Sequence, residues 1–485
     1  MASLEEIRKI RLEKKKKLEN KGINPYPAKI VFDATLKEVI DSFKEGKKIR
    51  VVGRIMSLRS QGVLIFFDLF DGTGSFQGLL KKDEISEEKF NLFVETIDIG
   101  DFVLIEGKLF ITERGQQTIA VSDWKIVAKS LRPLPEKWHG LKDSEERYRK
   151  RYLDLLMNPE IKNLFIKKTE FWNVAREFFK AKGFLEVETP MLEITTGGAE
   201  ARPFITHHND FDIDLYLRIS VGELWHKRLL VSGFTKTFEI GKIFRNEGTS
   251  AEHLQEFTNL EFYWAYADYK DGMELAQELY RKIAKDVFGT TKFELKQYKF
   301  DLADEWIEID YQSEVLKQTG IDVLTTNEEK MKSKLDELKI KYEGENRERL
   351  MDTLWKYCRE KIAGPAFLIN HPKLVAPLAK VKNDNQELTE RFQIILAGSE
   401  IGNGFSELND PLDQKERFEI QQALLKKGDL EAMMPDWEFV ETLEYGMPPA
   451  CGFGFGERLF WVLAGVSARE GTLFPLMRSR EVGKD

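Results

Sequence analysis

The chain has 485 residues, more than one hydrophobic core usually supports, and its 42% hydrophobic residues predict at least two domains. A formal net charge of −8 excludes a protein that coats nucleic acid with its whole surface. The two cysteines lie far apart and no apolar run reaches the roughly 18 residues of a membrane span, so we expect a cytoplasmic protein without disulfides, structural zinc or a membrane partner.

A basic segment opens the chain. Residues 1–22 contain eight Lys or Arg and four Glu, with Leu4, Ile7 and Leu18 at helical spacing. This pattern predicts a helix within an N-terminal segment of residues 1–47. Two roles remain open for the helix, a solvated surface element and an electrostatic arm for a polyanion.

Residues 48–128 contain five short β-like runs separated by turn sequences such as DGTG and ERGQ, which predicts a small closed barrel of the OB type. One face of VLIFFDLF is uniformly apolar and forms the core, so Phe66 lies on the outer face with Arg59 and Gln77. A ring, a cation and an amide together suit a single-stranded base. Packing of Phe66 against the protein remains the alternative.

Residues 129–151 carry two prolines, one glycine and dense charge, and we interpret them as a linker to a second domain, residues 152–485. There, IKNLFIKKTEFWNVAREFFKAKG has apolar residues at helical spacing and ends at Gly183, a favourable C-cap. FLEVETPML then predicts a strand that ends at Pro190. A long helix followed by an edge strand would suit self-association.

TKTFEIGKIFR and EFTNLEFYWAY both alternate in polarity, and the loop of FRNEGTSAEHLQEF joins them, so they predict an antiparallel hairpin. One face of the hairpin is apolar and belongs to the core. The opposite face displays four polar or aromatic side chains as a working surface: Arg245, Phe257, Glu261 and Tyr263.

Two later stretches supply further polar groups. SEIGNGFSELND places Asn403, Phe405 and Glu407 on one strand face. In PPACGFGFGERLFWVL, glycines precede a helix that carries Arg458 in its first turn. A cation there opposes the helix dipole by about 0.3–1 kcal/mol, which indicates an anionic ligand. A surface arginine with a carboxylate partner is the alternative.

GFLEVETPML, FRNEGTSAEHLQEF and GFGFGERL resemble motifs 1, 2 and 3 of class II aminoacyl-tRNA synthetases, in that order. RPLPEKWHGLKDSEERYRKRYLDL, GGAEARPFITHHN and EIGNGFSELND resemble the lysyl-tRNA synthetase family specifically, and the similarity extends over nearly the whole chain. It implies an α+β protein with an N-terminal OB-fold β-barrel and a class II catalytic domain, whose antiparallel sheet is flanked by helices. It also implies a homodimer formed through motif 1.

The resemblance implies ATP-dependent attachment of lysine to tRNA(Lys) through a lysyl-adenylate. The implied ATP-binding residues are Arg245, Glu247, His253, Phe257, Glu400 and Arg458, of which Arg245, His253 and Arg458 are also the implied catalytic residues. The implied lysine-binding residues are Gly198, Glu223, Glu261, Tyr263, Asn403, Phe405 and Glu407. Arg59, Phe66 and Gln77 would bind the anticodon, and Glu400 and Glu407 would bind Mg²⁺.

The sequence departs from the family pattern at several positions. Gln393 replaces a usual acid, so the number of Mg²⁺ ions is left open. Leu254 and Gln255 replace Asn-Pro in the motif 2 loop, and one extra residue precedes Glu223. Glu457 stands where lysyl enzymes commonly have Asp.

Three alternatives remain open at this stage. An aspartyl- or asparaginyl-tRNA synthetase shares the architecture, but a pocket for aspartate would need a cation where Glu261 and Glu407 place two acids. A relative that lysylates a protein would resemble the catalytic domain alone. A non-catalytic RNA-binding protein is disfavoured by the intact ATP-binding set.

Overall fold

The computed structural model describes residues 3–135, 143–199, 201–342, 344, 346–429 and 432–479. The chain divides into two compact units, residues 1–142 and 143–485. Each unit contains at least one cluster of buried apolar side chains of its own. No helix among the described residues combines the length and the apolarity that crossing a bilayer requires.

The first unit is a β-barrel with helices packed on it. Its elements are α1 (Leu4–Asn20), α2 (Leu36–Asp41), β1 (Lys48–Gln61), β2 (Leu64–Phe70), β3 (Ser75–Lys81), α3 (Glu87–Thr96), β4 (Phe102–Ile111) and β5 (Gln117–Ala128). The strands close in the order β1-β2-β3-β5-β4, with β3 and β5 parallel and the other pairs antiparallel. The predicted OB-type barrel is therefore present, and Phe67 of β2 is fully buried inside it.

The predicted basic helix is α1, and it packs on the barrel. Leu18 is fully buried in the barrel core, and the Arg11 guanidinium donates to the carbonyl oxygens of Ile99 and Ser130. Lys14 Nζ lies 2.6 Å from Asp98 Oδ1. Part of the positive charge predicted for an arm is thus neutralised within the unit itself.

The predicted linker, residues 129–151, contains several kinds of structure. Lys129 is buried and hydrogen-bonded to the barrel residues Asp98 and Asp101. The other end of this stretch contains helix α4 (Ser144–Arg149). Residues 136–142 of this stretch lie outside the described residues.

The second unit is built around one large sheet. Its helices are α4, α5 (Arg151–Met157), α6 (Pro159–Ala181), α7 (Glu223–Val231), α8 (Tyr269–Ile283), α9 (Tyr311–Thr319), α10 (Glu328–Glu337), α11 (Arg347–Arg359), α12 (Pro411–Lys426), α13 (Trp437–Glu444) and α14 (Glu457–Ala464). Its strands are β6 (Leu185–Glu186), β7 (Leu192–Glu193), β8 (Ile205–His208), β9 (Ile213–Leu217), β10 (Lys236–Phe244), β11 (Glu256–Ala265), β12 (Lys292–Leu295), β13 (Tyr298–Asp301), β14 (Ile307–Asp310), β15 (Ala366–Ile369), β16 (Arg391–Leu396), β17 (Ser399–Ser406) and β18 (Ala450–Gly456).

Eight strands form the main sheet, in the order β14-β15-β16-β17-β18-β11-β10-β6. All neighbours are antiparallel except the two outermost pairs. Helices α6, α8 and α14 contribute to the apolar core against this sheet, where aromatic rings such as Phe262 and Phe453 meet. The predicted α+β class, an antiparallel sheet flanked by helices, is confirmed.

Motif 1 follows its prediction in part. Helix α6 ends at Ala181 and Gly183 adopts a φ of +80°. The strand after it is shorter than predicted, because only Leu185–Glu186 pairs with β10. Beyond it, Thr189 donates through both its N–H and its hydroxyl to Glu239, so a side chain of the sheet replaces the backbone ladder there.

Candidate active site

The motif 2 hairpin is present as predicted. β10 and β11 pair antiparallel, with Glu239 opposite Glu261 and Ile243 opposite Phe257. Just past the end of β10, the Arg245 N–H donates to Gln255 O at 2.8 Å and closes the loop. The Arg245 guanidinium then lies 5.5 Å from the centre of the Phe257 ring, which is cation–π distance.

Two cavities meet at Arg245. One, of roughly 330 Å³, is lined by residues that include four predicted for lysine: Gly198, Glu223, Asn403 and Phe405. The other, of roughly 420 Å³, is lined by residues that include the whole predicted ATP set: Arg245, Glu247, His253, Phe257, Glu400 and Arg458. Since Arg245 and Glu400 line both cavities, groups bound in the two would meet beside them.

Three further predicted residues are buried together beside the smaller cavity. Glu261, Tyr263 and Glu407 are 6%, 3% and 1% exposed. Glu261 accepts hydrogen bonds from the Val221 N–H at 2.7 Å and from the Tyr263 hydroxyl at 3.0 Å. The predicted lysine-binding residues therefore form one acidic cluster that draws on α7, β11 and the residue that follows β17.

Glycines of motif 3 make room for this cluster. The sequence indicated glycines ahead of a helix, and the structure places them in strand β18, beside β11 and β17. A Cβ at Gly452 would collide with Glu407 Oε1, and one at Gly454 would lie 2.9 Å from Glu261 Cγ. The acids and the glycines are thus two parts of one arrangement.

Burial raises the pKa values of two carboxyl groups in this cluster. Desolvation, followed by the nearby Glu223 carboxylate, raises the pKa of Glu261 to about 7. Desolvation also raises the pKa of Glu407, against the opposing effect of Lys227. Burial, together with the surrounding carboxylates, raises the pKa of Tyr263 well above its usual value, so this hydroxyl stays neutral. An ammonium group placed here would stabilise the ionised carboxylates.

Lys227 of α7 is a site residue that sequence reasoning missed. Its ammonium is fully buried and lies 2.9 Å from Glu223 Oε1 and 2.6 Å from Glu407 Oε2. The contact between Lys227 and Glu223 could have been predicted, because the two residues are four positions apart on one helix. The contact with Glu407 depends on the tertiary fold.

Glu400 and Gln393 lie where the resemblance implied metal ligands. Glu400 accepts from Trp355 Nε1 at 2.9 Å and from Gln393 Nε2 at 3.2 Å. Gln393 Oε1 lies 3.1 Å from His371 Nε2, so both ends of this amide are engaged. Among the described residues, no group of three or more His, Cys, Asp or Glu is arranged for a metal.

The two carboxylates predicted for Mg²⁺ differ in their surroundings. Glu400 lines the larger cavity, and a carboxylate is a ligand that magnesium prefers. Glu407 is buried against Lys227, in surroundings that fit an ammonium ligand.

Arg458 and His253 both line the larger cavity. Arg458, in the first turn of α14, donates to the carbonyl oxygens of Glu400 and Glu252. Within the described ranges, no carboxylate forms an ion pair with Arg458, so the simple surface-pair alternative has no support. Desolvation, followed by Arg458, lowers the pKa of His253 to about 4, which leaves its imidazole neutral at pH 7.

The departures in motif 2 hold its loop together. Leu254 is buried, and Gln255 Nε2 donates to Glu247 O at 3.0 Å and to Thr249 Oγ1 at 2.7 Å. The pair that replaces Asn-Pro therefore links the two sides of the loop.

The other two departures are also accommodated. Before Glu223, the chain turns at Gly222 with a φ of +69°, in a position where a Cβ would collide with Thr189. Glu457 Oε1 accepts from the Thr258 N–H at 3.0 Å, and Glu457 Oε2 accepts from Lys168 of α6 at 2.7 Å. This one carboxylate thus ties together elements of all three motifs.

The predicted anticodon residues share the outer face of the barrel. Phe66 of β2 pairs directly opposite Arg59 of β1, and Asp68 of β2 pairs with Gln77 of β3. Phe66 is half-buried, whereas its neighbours Ile65 and Phe67 are core residues. Thr118 donates to Gln77 Oε1 at 3.0 Å and orients the amide.

Comparison with known proteins agrees with this geometry. Residues 143–478 match the family described as tRNA synthetases class II (D, K and N), and residues 49–134 match the OB-fold nucleic acid binding domain. Similar curated proteins include lysine–tRNA ligases from Thermotoga maritima, 43% identical over 99% of this chain and 97% of the relative, and from Carboxydothermus hydrogenoformans, 44% identical over 99% of each. Another, from Pelotomaculum thermopropionicum, is 45% identical over 99% of this chain and 96% of its own. The chain therefore belongs to the class II aminoacyl-tRNA synthetases, in the lysyl-tRNA synthetase family.

Proposed function

We propose that the protein attaches lysine to tRNA(Lys) with ATP, through an enzyme-bound lysyl-adenylate. The observation that carries this proposal is the acidic cluster of Glu223, Glu261 and Glu407, which adjoins Arg245 where two cavities meet. A cluster of this charge selects a cationic side chain, and an arginine at the junction serves a carboxylate and a phosphate equally well.

The charges of the cluster match those of lysine. Its three carboxylates are offset by the single ammonium of Lys227, which leaves two negative charges when all groups are ionised. Lysine carries two ammonium groups, and its carboxylate is left to Arg245. Aspartate would bring a second carboxylate into this pocket, where its burial beside acids is strongly disfavoured.

In the first step the lysine carboxylate attacks the α-phosphorus of ATP, and the bond to pyrophosphate breaks. No general base is needed, because this carboxylate is already ionised at neutral pH. Arg245 would hold the α-phosphate, Phe257 would stack on adenine, and Arg458 with His253 would hold the terminal phosphates. Catalysis then comes from positioning and from charge stabilisation.

Magnesium is the expected cofactor of this step, and it would neutralise charge on the phosphates. Glu400 is the residue whose position supports a role in holding it, since its carboxylate faces the larger cavity. Gln393 replaces the second acid with a neutral amide whose two ends are already hydrogen-bonded. The number of ions bound therefore stays open.

In the second step the 3′-hydroxyl of the terminal tRNA ribose attacks the adenylate carbonyl, and AMP leaves. Arg59, Phe66 and Gln77 on the barrel would bind an anticodon base by stacking and hydrogen bonding. The half-buried ring of Phe66, opposite an arginine that is largely exposed, supports this assignment.

The protein would act as a homodimer in the cytoplasm. Support for the dimer is the exposed apolar surface around motif 1, where Leu185, Leu192 and Ile194 are 50%, 49% and 72% exposed. Exposed apolar side chains so close in sequence are typical of an interface.

Amino-acid-dependent exchange of pyrophosphate into ATP tests the proposal without tRNA. Lysine should support exchange, and aspartate and asparagine should not. Exchange with aspartate or asparagine instead would place the chain with those enzymes. Failure to bind ATP at all would favour a non-catalytic RNA-binding role.

A further inference from the structure

Lys227 connects the two carboxylates that the proposed function assigns to opposite ends of the substrate. Glu223 is assigned to the α-amino group of lysine and Glu407 to its side-chain ammonium. The Lys227 ammonium lies between them, at 2.9 Å from one and 2.6 Å from the other. The two acids come from distant parts of the chain, the start of α7 and the residue after β17, so this contact fixes their separation.

Each carboxylate has a second oxygen that Lys227 does not use. Glu407 Oε1 is buried and has no hydrogen-bond partner among the described residues. Glu223 Oε2 lies beside Gly198, since a Cβ built at Gly198 would be 2.9 Å from this oxygen. An unpartnered buried carboxylate oxygen is costly, and an ammonium ligand would remove that cost.

The surroundings hold the Lys227 ammonium in place. The ring centres of Phe405 and Phe439 lie 5.4 Å and 5.8 Å from Nζ. The side chain is completely inaccessible to solvent. The ammonium therefore acts as a fixed spacer between the two acids.

We propose that Lys227 is a positioning residue that sets the distance between Glu223 and Glu407 and thereby selects diamino acids by length. This inference rests on the proposed function. Lysine, with four methylenes, would fit the spacing, whereas ornithine, with one fewer, and homolysine, with one more, would reach only one of the two acids well. A fitted pocket distinguishes one methylene by roughly 10- to 200-fold.

The test is pyrophosphate exchange by the wild-type protein and by Lys227→Met, with lysine, ornithine and homolysine as substrates. The wild type should prefer lysine to both homologues by at least about tenfold in kcat/KM. In Lys227→Met the preference should fall severalfold or more, mainly through a higher KM for lysine. Lys227→Gln keeps a donor between the acids, so its preference should be intermediate, and it serves if the Met variant does not fold.

Lys129→Met is the matched control, because Lys129 is also fully buried between two carboxylates, Asp98 and Asp101, in the other unit. It should lose thermal stability and keep the lysine preference. A folded Lys227 variant with an unchanged preference would overturn the inference, and so would a wild type that uses all three amino acids equally. A wild type with no lysine-dependent exchange would instead overturn the proposed function.

Discussion

Each unit of this protein buries one lysine between two carboxylates, and the two clusters differ in what remains unpaired. In the barrel, Lys129 donates to Asp98, Asp101 and Thr96 O, and both oxygens of Asp101 also accept backbone N–H groups. In the catalytic unit, Lys227 contacts two carboxylates, and Glu407 Oε1 has no hydrogen-bond partner within the described part of the chain. The first cluster is complete in itself, whereas the second, the incomplete cluster, leaves this buried oxygen without a hydrogen bond.

The comparison shows that residue type alone does not separate a structural cluster from a binding cluster. Both contain a fully buried ammonium that lies 2.6–2.9 Å from two carboxylates, at least one of which is fully buried. What differs is the count of satisfied donors and acceptors, and a buried polar atom without a partner needs an explanation. In the catalytic unit, the explanation we propose is a cationic ligand.

The largest effect is expected for Glu407→Gln, which removes the carboxylate of the incomplete cluster. Lysine activation should weaken by roughly 3–5 kcal/mol, because the substrate ammonium is left buried without a charged partner. The measurement is kcat/KM for lysine in pyrophosphate exchange. Near-normal exchange in this variant would remove Glu407 from the lysine site.

Removing Lys129 from the barrel cluster should lower stability and leave lysine activation unchanged. Lys129→Met leaves the buried Asp101 without its cation, whereas Asp98 keeps its contact with Lys14. Loss of one partner of a buried pair costs about 3–5 kcal/mol of stability. Calorimetric unfolding should show a transition at lower temperature, while lysine-dependent exchange stays unchanged. Loss of exchange with no change in unfolding would contradict the division between the two clusters.

Phe66→Ala tests the proposed role of the barrel in binding an anticodon base. Removing one ring that stacks on a base costs about 1–3 kcal/mol of binding. The KM for tRNA in aminoacylation should rise, and the tRNA-independent exchange reaction should keep its rate. Ile111 is an exposed apolar residue on another strand of the barrel, and Ile111→Ala should leave both reactions unchanged. Equal effects of the two substitutions would remove Phe66 from the tRNA site.

The smallest expected effect is on pH dependence. The pKa of Glu261 is raised to about 7, so this carboxyl is mostly protonated at pH 6 and mostly ionised at pH 8. Since an ammonium ligand favours the ionised form, the affinity for lysine should rise about tenfold over this range. Calorimetry at pH 6, 7 and 8 measures it, and binding should release protons. Affinity that falls or stays flat as pH rises would contradict the incomplete cluster.

The sequence predicted elements whose patterns are local. Alternation in VLIFFDLF identified the buried face of the barrel strand, and alternation around Arg245 identified the motif 2 hairpin. The predicted ATP set lines one cavity, and four residues of the predicted lysine set line the adjoining one. The other three, Glu261, Tyr263 and Glu407, are buried beside it. For the two alternating patterns, the signal lies within about ten residues of one strand.

What the sequence did not predict depends on contacts between distant segments. Helix α1 was interpreted from its charge, yet Arg11 docks on carbonyl oxygens about ninety or more positions away. The partner of Lys227 across the sheet, Glu407, could not be inferred from helical spacing. The strand of motif 1 was predicted too long. Near its end the Thr189 N–H donates to the side chain of Glu239 and not to a neighbouring strand, and Glu239 lies fifty positions later in the sequence.

We propose that the incomplete acidic cluster beside Arg245 binds an amino acid with a cationic side chain. The decisive measurement is calorimetric titration of the wild-type protein with lysine and with norleucine, its analogue without the side-chain ammonium. Lysine should bind with one site per chain, and norleucine should bind at least about a hundredfold more weakly, because a buried carboxylate is then left without its charged partner. Equal binding of the two, or binding of aspartate in place of lysine, would contradict it.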